Sequence, residues 1–214
     1  MSEQDCSSTS RPYRMGRRAE HVEATRQRIV DAAVQLHSTI GPARTTISAL
    51  AETAGVTRLT VYRHFPDDDE LYAACSQRWE EIHAPGPDPA AWRGIRDLEA
   101  RTRHALGELY AWYHDVGDAL RPILRDVDAA ALPEVVCEET DEEFARYADA
   151  LVTGSGVRGA GRRRLRAVAG HAVSFWTWQS LTVEQRLSHG EAVELMTSLM
   201  LLASGHTDER AARR

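Results

Sequence analysis

The chain lacks lysine altogether: all 26 of its cationic residues are arginine. A codon bias toward GC accounts for that without any functional meaning. Cysteine is scarce. The three present, Cys6, Cys75 and Cys137, are odd in number and share no C-x-x-C spacing. That excludes a zinc ribbon and a disulfide framework and leaves a reduced, cytoplasmic setting as the expectation. Long apolar runs are missing too. The greasiest stretch, Leu195 to Ala203, is interrupted by Thr197 and Ser198, and it falls far short of the roughly 20 residues a bilayer demands. Residues 1–18 are polar and arginine-dotted, without the apolar centre of a secretory leader.

What is present is an ordinary folded composition: 214 residues, 43% apolar and 27% charged. The net charge of −6 hides an asymmetry. Residues 1–66 carry nine arginines against six acids, whereas residues 67–214 carry seventeen against twenty-six. A basic first third on an acidic remainder points to a polyanion meeting only the first part.

Residues 1–20 show no periodicity and read as a flexible basic arm. From His21 the pattern turns helical. Ile29, Ala32, Ala33, Leu36 and Ile40 form one apolar stripe, ended by Gly41-Pro42. Thr46 is placed to cap a second short helix, and Thr57 a third that runs to about Phe65. Asp67 and Glu70 make a capping-box pattern for a fourth. After the break at residues 84–89, the spacing predicts a helix from Pro89 to about Tyr113 and a shorter one over 118–130. Others are expected from Pro133 to about Thr153, over 162–181 and over 188–204. No run of period two occurs. The expected fold is all-α with about nine helices, three of them in a compact head.

Chemistry concentrates around Gly55. Two short helices meet there, at a residue that tolerates the left-handed backbone of a tight turn. Leu50 and Ala54 face the first helix, Ala51 permits a close crossing, and Val56 and Val61 fill the angle between the two. This is helix-turn-helix spacing. On the third helix Thr57, Arg58, Thr60, Tyr62, Arg63 and His64 offer hydroxyl, guanidinium and imidazole donors, with no acid between Thr57 and Phe65. Donors of that kind on one short helix suit the major groove of DNA.

Taken together, Ile29-Val30-Asp31-Ala32-Ala33, Gly41, Thr45-Thr46-Ile47, Leu50-Ala51, Ala54-Gly55-Val56-Thr57, Val61 through Pro66 and Leu71 resemble the DNA-binding head of tetracycline-repressor-type (TetR-family) regulators. The remaining two-thirds resembles the family only in length and helical character. The resemblance implies a homodimer joined through its last two long helices, binding a double-stranded operator and released by a small-molecule effector. It also implies a division into the arm (1–20), a helix-turn-helix domain (21–66), a ligand-binding and dimerisation domain (67–206) and a tail (207–214). By the same resemblance Thr46, Tyr62 and His64 match phosphate-holding positions, while Thr57, Arg58 and Thr60 match positions near base edges. Three residues depart from the family pattern. His37 stands where an aromatic closes the first helix, Leu59 replaces a common glycine, and Asp68 takes the place of a familiar lysine. Arg14, Arg17 and Arg18 of the arm are candidates to hold phosphate in place of that lysine.

Eleven of the fourteen aromatic residues follow residue 66. Trp79, Tyr110, Tyr113, Phe144, Tyr147 and Trp176, with His104 as a polar handle, are candidates to wall a ligand cavity that favours a small apolar or aromatic molecule. Val168, Phe175, Val193, Met196, Leu199 and Met200 are candidates for the dimer interface, because two helices so apolar cannot both lie at a free surface. Gly154 to Gly159 satisfies G-x-G-x-x-G, but it follows a helix rather than a strand and reads as a loop. No metal set, nucleophile motif or cofactor fingerprint is found, so no cofactor, metal or enzyme activity is expected. Two alternatives stay open: a regulator with no small-molecule ligand, and an α-helical small-molecule enzyme.

Overall fold

The computed structural model describes residues 10–129 and 131–205, with side chains from residue 17 onward. The chain divides into two compact units, the first ending at Ile82 and the second starting at His83. Among the described residues there are ten α-helices and no strand.

The first unit contains α1 (Ser10–Thr39), a 3-10 turn (Pro42–Arg44), α2 (Ile47–Ala54), α3 (Arg58–His64) and α4 (Asp68–Ile82). Its core joins Ile29, Ala33 and Val34 of α1 to Leu50 and Ala54 of α2, Val61 of α3, and Leu71 and Cys75 of α4. Residues 10–20 are helical, not an irregular arm, because α1 already starts at Ser10. Pro12 falls in the first turn, where its missing N–H has no intrahelical partner to lose. The expected boundary at residue 66 also moves. The fourth helix belongs with the head, since Asp31 of α1 accepts from Arg78 of α4 at 2.7 Å. Trp79, expected at a ligand, likewise packs against the head's core cluster. His37 fills its aromatic position in kind: it is buried, with its ring stacked 5.8 Å from Tyr72.

The second unit holds α5 (Pro89–Trp92), α6 (Leu98–Asp128), α7 (Glu134–Val152), α8 (Gly159–Val173), α9 (Phe175–Gln179), a π-turn (Ser180–Glu184) and α10 (His189–Ser204). The helix expected over 89–113 stops at Trp92, and a new one starts at Leu98, capped by Asp97, whose carboxylate accepts from Ala100 N–H at 2.7 Å. The expected break after Tyr113 is absent. Leu109, Tyr113, Val116, Leu124 and Val127 are all buried along one continuous α6, which carries Pro122 inside it. Packing of that stripe outweighs the roughly 3 kcal/mol that an interior proline costs a helix.

The helix expected over 162–181 is broken at Ser174, which is extended at φ −65°, ψ 132°. The break leaves carbonyls at the end of α8 without helical partners. Two tyrosines of α6 supply them: Tyr110 donates to Ala172 O at 2.9 Å and Tyr113 to Val173 O at 2.6 Å. Burial pushes both phenols' pKa up, so they remain protonated donors. Gly117 lets α6 lie against Trp178; a Cβ there would meet the indole at 3.0 Å. Tyr113→Phe should therefore orphan a buried carbonyl and lower the unfolding free energy by about 1–3 kcal/mol. Denaturant unfolding of the variant checks this, and an unchanged midpoint would contradict it.

Candidate nucleic-acid interface

The head's exposed chemistry is set by two threonine caps and one glycine. Thr46 caps α2, its hydroxyl accepting from Ala49 N–H at 3.1 Å. Gly55 closes α2 in the left-handed region at φ 65°, ψ 39°, and the following Val56 N–H returns to Ala51 O at 2.9 Å. Thr57 then caps α3 by accepting from Thr60 N–H at 3.2 Å, and the Thr57 and Thr60 hydroxyls lie 2.9 Å apart. The turn and both caps match the sequence expectation.

Helix α3 buries Val61 completely, and Phe65 just beyond it is buried as well. At 100° per residue, Tyr62, Leu59 and Arg63 point away from Val61, while Arg58, only about 60° from it, is the first residue of the helix. All four are exposed. Thr57 and Thr46 are exposed as well, while Thr60 and His64 are half-buried. Of the predicted donors on and beside α3, Thr57, Arg58, Tyr62 and Arg63 are thus open to solvent. Leu59, in the sequence only a departure from the family pattern, is 79% exposed. An apolar side chain on such a face suits the thymine methyl group. The one signal for it in the sequence is its position off the buried stripe that holds Val61 and Phe65.

Electrostatics separate the α3 face from its surroundings. No acid lies within α3, and Arg26 of α1 sits 4.7 Å above the Phe65 ring. The His64 pKa lies below the ordinary 6.5, first through burial and then through Arg63 and Arg26, with Glu23 opposing. The imidazole is therefore a neutral N–H donor at pH 7. Arg17 and Arg18 are exposed on the first turns of α1; the Arg14 side chain lies outside the described residues. Asp67, Asp68, Asp69 and Glu70 are all exposed at the start of α4, so negative charge stands where a lysine at position 68 would meet phosphate.

The second unit holds a cavity of about 160 Å³ lined in part by Thr140, Phe144, Phe175 and Trp176. Of the aromatic residues expected at a ligand, only Phe144 and Trp176 line it. Tyr110 and Tyr113 are core residues with their hydroxyls committed to carbonyls. Tyr147 is buried against Trp92 at 5.4 Å, and His104 is exposed beside Glu108 at 3.5 Å. The expected dimer residues also divide. Phe175, Val193, Met196 and Met200 are buried within the unit, and Val168 is half-buried against the same core. Only Leu199 is exposed, in company with Leu195 and Leu202. Among the described residues no group of three or more His, Cys, Asp or Glu is set to hold a metal. No helix among them is long and apolar enough to cross a membrane.

The first unit is a helix-turn-helix domain. Residues 29–75 match the family described as "Bacterial regulatory proteins, tetR family". The chain is 39% identical over 61 residues to the HTH-type transcriptional regulator AcrR of Shigella flexneri, covering 28% of this chain and 27% of that protein. It is 40% identical over 67 residues to the HTH-type transcriptional regulator TtgR of Pseudomonas putida, covering 31% and 32%. The match therefore spans about a third or less of those relatives. A solved tetR-family transcriptional regulator from Streptomyces coelicolor shares the fold, with a TM-score of 0.56 at 21% identity over 89% of this chain and 86% of that one. So does a TetR-like transcriptional regulator from Rhodococcus sp. RHA1, with 0.54 at 22% over 82% and 93%. The stretch that carries the helix-turn-helix, residues 29–75, is thus the part of the chain that matches the tetR family.

The Thr57 cap holds the start of α3. Thr57→Ala should lower the head's stability by about 1 kcal/mol. Local hydrogen exchange at the amides of α3 reads this directly, and unchanged protection there would contradict the role assigned to the cap.

Proposed function

We propose that the protein is a transcriptional regulator, acting as a repressor, that binds a palindromic DNA operator as a homodimer and is released by a small molecule. The observation that carries the reading is the outer side of α3. Tyr62 and Arg63 are exposed there around Leu59, Arg58 is exposed at the helix start, and no acid lies in the helix. A seven-residue surface helix with donors of one sign suits base edges and phosphates and has no other evident use. Arg58 is positioned by its place at the helix start to read a base. Tyr62, His64 and Thr46 serve as phosphate contacts that set register, helped by Arg17 and Arg18. A protein that acts on DNA in this way works in the cytoplasm.

Dimerisation is supported by α10. Leu195, Leu199 and Leu202 are exposed at spacings of four and three, so they share one side of the helix. A stripe of three exposed leucines suits a second copy packed helix on helix. Release by a ligand is supported by the cavity, which is large enough for one aromatic ring. Ligand and operator must then weaken each other by the same factor.

Arg58→Ala should relax base preference at one operator position, costing about 1–3 kcal/mol there. Tyr62→Phe and His64→Ala should weaken every DNA sequence alike. Mobility shifts on matched and mutated sites separate these outcomes, and an unchanged preference after Arg58→Ala would overturn its assignment. A phosphate partner favours charged imidazole, and the His64 pKa lies below the ordinary 6.5, so affinity should rise as pH falls below that value. His64→Ala should flatten that rise, and a rise that survives the substitution would remove His64 from the phosphate. Leu199→Arg should yield monomers in sedimentation that no longer hold the palindrome. A monomer that still bound it tightly would remove the dimer from the account.

A further inference from the structure

The cavity in the second unit has charge of one sign. Two charged side chains line it, and both are carboxylates: Asp128 and Asp141. The rest of its lining is chiefly aromatic and aliphatic, with Phe144, Phe175 and Trp176 foremost and Ser174 and Thr140 the two hydroxyl residues. Thr140 adds an acceptor, because its hydroxyl hydrogen is spent on Val136 O at 2.9 Å, which leaves oxygen lone pairs.

Neither acid is neutralised by an arginine of the lining. Asp128 accepts from the indole N–H of Trp176. That bond holds the carboxylate at the cavity and occupies one of its several acceptor sites. Asp128 is also the last residue of α6, where the partial negative charge of a helix C-terminus adds to its own. The neighbouring arginines each bond another acid. Arg125 bonds the Asp126 carboxylate at 2.7 Å, and Arg166 bonds Asp149 at 2.6 Å.

Aromatic rings with carboxylates in a small cavity are complementary to an organic cation and repel an anion. A cavity of about 160 Å³ matches a single ring. Asp128 and Asp141 are themselves exposed, so a charged head group can stay partly hydrated while the ring is buried. We propose that this cavity takes a one-ring organic cation of the arylalkylammonium class, its ring among Phe144, Phe175 and Trp176 and its ammonium against Asp128 and Asp141. The inference rests on the ligand-responsive reading above and adds the sign and size of the ligand.

Three probes of nearly one shape test it on the full chain by titration calorimetry: benzylammonium, benzyl alcohol and benzoate. Benzylammonium should bind about ten-fold tighter than benzyl alcohol, and benzoate more weakly than either. Asp128→Asn and Asp141→Asn should each cut benzylammonium affinity several-fold while leaving benzyl alcohol unchanged, which shows at once that the cavity is still folded. Equal binding of the three, preference for benzoate, loss of both neutral and cationic probes in the Asn variants, or no binding of any probe at millimolar concentration would overturn the proposal. Operator release is read separately by mobility shift. A cation bound through Asp128 that leaves operator affinity unchanged supports this assignment and overturns the ligand-release reading instead.

Discussion

The burial of Val61 and Phe65 is the constraint on which the head depends. A helix of seven residues is far below the length at which an isolated helix persists in water. Helix α3 exists because Val61 is sealed into the core with Ile29 and Leu50 and because Thr57 satisfies its first turn. Everything the helix exposes, Arg58, Leu59, Tyr62 and Arg63, is held by those inner contacts. Side chains that would be floppy on a loop are thus carried on a rigid surface.

The second unit solves a different problem. A core rich in tyrosine and tryptophan must satisfy polar atoms as well as fill space. Tyr110 and Tyr113 do both, packing within the core and donating to the carbonyls that the break at Ser174 releases. Arg101 works the same way, buried with its guanidinium on Leu151 O and Ile95 O, so that it ties the turn before α6 to the end of α7. Aromatic content therefore mostly builds the body, and only a minority of the rings are left to line a cavity.

That division explains what is legible in the sequence and what is not. The head is legible because its signals are local: the Thr46 and Thr57 caps, Gly55, and apolar residues at helical spacing all act within a few residues. The body is less so. The break at Ser174 has no local marker, since its partners are Tyr110 and Tyr113, 60 or more residues away. The break expected between Tyr113 and residue 118 is absent because the packing that keeps α6 continuous through Pro122 is not visible in the sequence. Trp79 reads as a ligand residue because aromatic residues look alike in a string; its place against the head core is a tertiary fact. Met196 and Leu199 are equally apolar and three residues apart, yet one is buried and the other exposed. Telling them apart requires the direction from which α6 and α8 approach α10. The acids at 128 and 141 belong to different helices, so their shared cavity is invisible in the sequence.

The central claim, that the outer side of α3 reads DNA in two symmetric copies, is tested most directly by selecting bound DNA from a random-sequence pool with the purified full chain. The account predicts an inverted repeat, its half-site centres separated by a spacing that brings both recognition helices into major grooves on one side of the duplex. Enrichment of no motif, or of a single asymmetric site bound by one copy, would contradict it.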